Sequence, residues 1–239
     1  MFSSKVRPIN LTQFEHGRLC GTLASHWGNE RFDKPTIDFE TFVTAVTLHD
    51  WHYKLIDDTP ITLASDEEWL EITNQGVELW FDDPTVDILI KLHIKRLLSF
   101  GIHVTDDVPR MIDAVDVRIA SRLKETSYTM ADFLWADRIT RICDFLSFDL
   151  HFEKPVSREC QVFANVGSDQ ETAITHQILG PGEVRVDPWP FDRPEISGFL
   201  VAYAREGYPD RLKPQRIPYQ ISPRSTDSIN ATAEPTPSS

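Results

Sequence analysis

The chain has 239 residues, 41% of them hydrophobic, with a formal net charge of −13. That is enough apolar content for one large domain, or a domain with a smaller one. The acidic surface has no Lys/Arg run to offset it and repels phosphate backbones, which argues against binding a nucleic-acid polymer.

Cys20, Cys143 and Cys160 are scattered and odd in number, with no CxxC pair, as expected in a reducing compartment. No N-terminal apolar stretch reads as a signal peptide and no run is long enough to span a bilayer, so a cytoplasmic protein without a membrane partner is expected.

Helical periodicity runs from about Thr12 to about Leu150. Thr12 and Glu15 fit a capping box opening a first helix, with Gly28 just past its end. Asp38 precedes a second, running to about Trp51. A loop-rich stretch from Asp57 to Asp66, containing Pro60, leads into a helix over Glu67–Phe81. Asp83-Pro84 opens the next, because proline suits the first helical position, and Gly101 stops it. A further helix covers Met130 to Leu150. After Pro155 the texture changes to short β-prone runs, at Val162-Phe163, Val184–Val186 and Phe199–Val201, punctuated by proline and glycine. From about Arg224 the chain is rich in Ser, Thr and Pro and lacks the apolar content to fold.

Polar residues on apolar faces carry the functional reading. His16 points into the stripe of Leu19, Cys20 and Leu23; His49 and Asp50 continue the face of Val46; His93 centres the stripe of Leu89, Ile90 and Leu97. One inward histidine is as well explained by a backbone carbonyl as by a metal. A buried aspartate is costly unless paired or bound to a cation, and three histidines with Asp50 are better explained jointly. Imidazole with carboxylate suits Mn, Fe, Co or Zn rather than Ca. Asp144 flanks the stripe of the last helix, and periodicity alone leaves it evenly between this site and an exposed pair with Arg141.

The order His16, His49-Asp50 and a late Asp144 resembles the HD-domain superfamily of metal-dependent phosphohydrolases. The local texture is similar to a bacterial family catalogued as a domain of unknown function (DUF3891). The likeness lies in Gln13-x-Glu15-His16, Ala24-x-His26-Trp27-Gly28, Ala45-x-x-Leu48-His49-Asp50, Asp57-x-x-Pro60, Cys143-Asp144-x-Leu146-Ser147 and Asp187-Pro188-Trp189-Pro190-Phe191. Sensory HD phosphodiesterases carry a glycine and a lysine soon after the dipeptide; here Trp51, His52 and Tyr53 stand there, with Lys54 one step late.

The resemblance implies a mainly α fold: an HD-like helical bundle with a small C-terminal antiparallel β appendage. Residues 1–153 are expected to form the metal-binding domain, 154–222 the appendage packed on it, and 223–239 a disordered tail. The expected function is metal-dependent hydrolysis of a phosphate ester or nucleotide, so the partner is a small phosphorylated molecule. The alternative is a non-catalytic protein that keeps the metal for structure or sensing. His16, His49, Asp50, His93, His103 and Asp144 are the expected ligands of one or two divalent transition-metal ions. His26, His52 and Lys54 are the candidate catalytic residues. Among other motifs, GxSxG, GxxxxGK[ST], HExxH and GxGxxG are missing.

Overall fold

The computed structural model describes residues 1–100, 105–165, 167 and 170–224. Two short strands come first, β1 (Phe2–Ser3) and β2 (Ile9–Leu11). Among the described residues six α-helices follow: α1 (Gln13–Ser25), α2 (Phe39–Leu48), α3 (Asp66–Glu78), α4 (Pro84–Ser99), α5 (Asp107–Leu123) and α6 (Met130–Phe152). Five strands complete the fold: β3 (Val156–Phe163), β4 (Glu171–Gly180), β5 (Glu183–Asp187), β6 (Ile196–Ala204) and β7 (Pro214–Pro223). Among the described residues, no helix is long and apolar enough to cross a membrane.

Helix starts follow local chemistry. Asp38 accepts from the Thr41 amide and opens α2, and Asp83 accepts from the Thr85 and Val86 amides ahead of Pro84. Thr12 caps α1 through the Glu15 amide, but the expected reciprocal half of that box is missing: Glu15 pairs with Arg18 and accepts from the Val201 amide. Complete capping boxes occur instead at Ser65/Glu68 and Thr129/Asp132.

The expectation of a mainly helical fold with a small antiparallel appendage is overturned. The protein is 46% helical and 23% strand, with a seven-stranded curled mixed sheet in the order β1-β2-β6-β7-β5-β4-β3. The N-terminal strands join this sheet through β2 and β6, whose register pairs Asn10 with Tyr203. β5 and β7 run parallel, pairing Val184 with Ile221, so the sheet is not purely antiparallel. Two- and three-residue strands carry too little period-2 signal to register in the sequence. β7 carries Pro214, Pro218 and Pro223, which disguise it as loop. Pro223, expected in the tail, ends β7 and Arg224 donates to the Val186 carbonyl; the rest of the expected tail, from 225, lies outside the described residues.

The helical and sheet layers share one apolar core that includes Leu19, Leu146, Val162, Ile178 and Leu200. The Asp187–Phe191 segment packs on the end of α1. Gly28 donates to the Pro190 carbonyl at 2.9 Å, Asn29 donates to the Trp189 and Phe191 carbonyls, and Trp27 meets Phe191 edge to face. Helices α1 and α2 approach closely because Gly17 and Gly21 face Thr47; a Cβ on Gly17 would stand 2.4 Å from the Thr47 carbonyl oxygen.

Candidate metal centre

Four helical segments aim polar side chains at one point. α1 supplies His16, the C-terminal end of α2 supplies His49 followed by Asp50, α4 supplies His93, and α6 supplies Asp144. His16, His49, His93 and Asp144 are all buried. The close α1–α2 approach at Gly17 brings His16 and His49 together, with their Nε2 atoms 3.2 Å apart.

Hydrogen-bond partners determine which face of each ring is free. His49 donates from Nδ1 to the Val46 carbonyl at 2.7 Å, so in the neutral ring Nε2 carries the lone pair. The Ser147 hydroxyl donates to the His16 carbonyl and accepts from His16 Nδ1 at 2.9 Å, which leaves His16 Nε2 as an acceptor as well. Two carboxylate oxygens complete the group. From His16 Nε2, Asp144 Oδ1 is 3.4 Å away and Asp50 Oδ2 is 3.5 Å; from His49 Nε2 each is 3.7 Å. Four acceptors thus face one another with five separations between 3.2 and 3.7 Å. A tetrahedral ion with bonds of about 2.1 Å has ligand–ligand edges of about 3.4 Å. The donor set and its spacing therefore fit a divalent transition metal.

His93 plays a different part. Arg96 Nη2 lies 2.8 Å from His93 Nδ1, and a guanidinium can only donate, so Nδ1 is the acceptor and Nε2–H donates to Asp50 Oδ1 at 2.8 Å. His93 thereby orients Asp50 and offers the central group no lone pair. Arg96 also lies 3.6 Å from Asp144 Oδ2 and is anchored by Asp137. A fixed cation fills the space beside His93 and Asp144.

The electrostatics agree. Burial opposes the charge on Asp50, but His49, His93 and His16 outweigh it and hold its carboxyl below the usual range. Asp144 is depressed likewise, against burial, by His16 and His49. Burial also opposes protonation of His49, yet Asp50 and Asp144 raise its pKa: two carboxylates demand a cation between them, proton or metal. Cys20 Sγ is 3.8 Å from His16 Nε2, but burial pushes its thiol well up and it donates to the Cys143 carbonyl.

His16, His49, Asp50, His93 and Asp144 are thus brought together. Asp144 is buried beside Arg96, not exposed beside Arg141 as its alternative reading had it. His26 sits at the end of α1 and faces Asp192 at 3.1 Å, on the Asp187–Phe191 side of the fold. His52 is buried against Tyr53 and Gly76, with neither ring nitrogen hydrogen-bonded, and burial lowers its pKa to about 3. Lys54 is exposed and stacks on Trp51 at 3.3 Å. His103 lies outside the described residues. Arg96 had no place in the sequence analysis and Ser147 entered it only as part of a motif, without a role; each sits three residues after a site residue, His93 and Asp144, on the same helical face.

Fold and site define a helix-and-sheet protein with a buried His/Asp constellation that can hold a metal ion. The chain belongs to the family described as "Protein of unknown function (DUF3891)", whose profile matches residues 4–203. No curated protein and no solved structure gives a significant match.

Proposed function

We propose that the protein is a mononuclear metal-dependent phosphohydrolase. The observation that carries this reading is the buried cluster of four acceptors, His16 Nε2, His49 Nε2, Asp50 Oδ2 and Asp144 Oδ1, with five separations between 3.2 and 3.7 Å. The order of these residues along the chain supports it through its resemblance to HD-type phosphohydrolase sites, although the surrounding fold is not a helical bundle. Mn, Fe, Co and Zn are the candidate ions. One ion rather than two suits the site, because Arg96 already supplies the cation next to Asp144 and His93.

Held by His16, His49, Asp50 and Asp144 with a further position open, a divalent ion would supply a water of lowered pKa and polarise a phosphoryl oxygen. The protein's own part is positional. Ser147 and the Val46 carbonyl fix the two imidazole rings, and His93 fixes Asp50. Hydrolysis forms a phosphorus–oxygen bond to water as the ester phosphorus–oxygen bond breaks; one water proton ends on the released alcohol and the other remains with the phosphate side.

The test is turnover of a panel of phosphomonoesters, phosphodiesters and nucleotides by protein loaded with each of the four metals. Metal-dependent phosphate release that Asp50→Ala eliminates supports the proposal. Saturable binding of these compounds without turnover under any metal contradicts it and favours a sensor.

A further inference from the structure

Beside the metal-ligating set lies a cavity of about 760 Å³, a size suited to a small organic ligand. Asp50, His93 and Asp144 form one part of its wall. The rest is strongly aromatic. Phe148 and Phe152 pack edge to face at 4.9 Å, Phe2 packs edge to face on both, and Phe100 stacks on Phe145. Neutral polar side chains are few among the described lining residues: Thr62, Trp69 and Tyr53, whose hydroxyl is engaged with Thr73. A sugar or a base edge is read by such groups, so a wall dominated by phenylalanine suits an aromatic body better than either.

Three cations belong to the same wall. Lys5 lies over the Phe152 ring at 5.3 Å, Arg158 lies over the Phe145 ring at 4.5 Å, and Lys154 is exposed. Arg158 is already bound to Asp149, but Lys5 and Lys154 add positive charge locally to a chain of net charge −13. Asp50, Asp144 and Asp149 line it too, so the opening would draw anions inward once a divalent cation sits between Asp50 and Asp144. None of His26, His52 and Lys54 lines the cavity.

Resting on the hydrolase reading, we infer that the substrate is a small phosphate ester with an aromatic, weakly polar body, and not a nucleotide. The phosphoryl group lies toward Asp50 and Asp144, and the body lies among Phe2, Phe145 and Phe148.

Calorimetry on the metal-loaded full chain tests this with three probes that cannot turn over by ester cleavage: 1-naphthylphosphonate, methylphosphonate and the carbon–phosphorus-linked 5′-methylenephosphonate of 5′-deoxyadenosine. The naphthyl compound is expected to bind at least about 30-fold more tightly than methylphosphonate, from the apolar area it buries, and more tightly than the adenosine compound. Phe148→Ala should weaken naphthyl binding roughly 10-fold with methylphosphonate binding and metal content unchanged. Should that variant fold poorly, Phe145→Leu reads the same wall. Equal affinity for naphthyl and methyl probes, or a preference for the adenosine compound, overturns the inference while leaving the hydrolase reading intact. If the protein takes up no metal, the hydrolase reading fails, and the same probes on the metal-free chain still decide: a Phe148-dependent naphthyl preference supports the aromatic ligand, and its absence overturns it.

Discussion

Arg96 donates to Nδ1 of His93 at 2.8 Å, and this one bond determines that His93 presents N–H, not a lone pair, to Asp50. The consequence is a division of labour among three buried histidines that look alike in sequence. His16 and His49 face the centre as acceptors, whereas His93 holds a ligand in place.

His93→Ala is therefore expected to keep metal stoichiometry at one while weakening affinity by about 10–100-fold, the usual effect of losing a partner that orients a ligand. His49→Ala should lose the metal altogether. Metal titration with a fluorescent chelator as competitor measures both. Equal, complete loss in the two variants would make His93 a ligand and contradict the assignment.

Gly17 sets the distance between α1 and α2. A Cβ there meets the Thr47 carbonyl oxygen at 2.4 Å, and backbone cannot rotate away. Gly17→Ala should destabilise the protein by about 1–3 kcal/mol, as overpacking does, and weaken metal binding by moving His49 and Asp50 from His16. Gly180→Ala, where a Cβ meets nothing within 4 Å, is the control and should leave metal affinity unchanged. Denaturant unfolding and metal titration of the pair check this.

Asp149 ties α6 to the sheet, accepting from Arg158 at 2.7 Å and from His176 at 2.8 Å. Burial opposes its charge, but Arg158 and His176 hold its carboxyl below the ordinary value of 3.8. A depressed aspartate contributes stability that is fully present above the unfolded pKa and lost as pH falls through the lower folded pKa. Asp149→Asn should thus cost about 1–3 kcal/mol near neutral pH, and its gap from wild type should narrow below about pH 4. Urea unfolding of both proteins between pH 6 and pH 2.5 checks the sign; a gap that widens on acidification would contradict it.

Helical periodicity and polar exceptions to it located the centre, because a histidine three or four residues from Leu19 or Val46 has only one direction to point. Asp144 stayed ambiguous for the same reason: it lies at the edge of its stripe, and only the partner across the fold, Arg96, decides its burial. Tautomers were beyond periodicity altogether, since they depend on Ser147 and Arg96 meeting histidines from other helices. The sheet was misjudged on other grounds. β1 and β2 are too short to show alternation, and the parallel β5–β7 pair joins strands separated by the whole of β6. α5 had periodicity but no boundary: it fully buries only Met111, Val115 and Ile119 of its apolar residues, and its N-cap Asp106 makes no side-chain capping bond.

The central claim is a four-acceptor centre for a single ion. Its most direct test is elemental analysis of wild type and Asp144→Asn after reconstitution with Zn or Mn and removal of free metal. The account predicts about one equivalent in wild type and none in a folded Asp144→Asn, since a neutral amide no longer balances the cation. Folded wild-type protein that holds no metal, or an Asp144→Asn variant that retains a full equivalent, would contradict it.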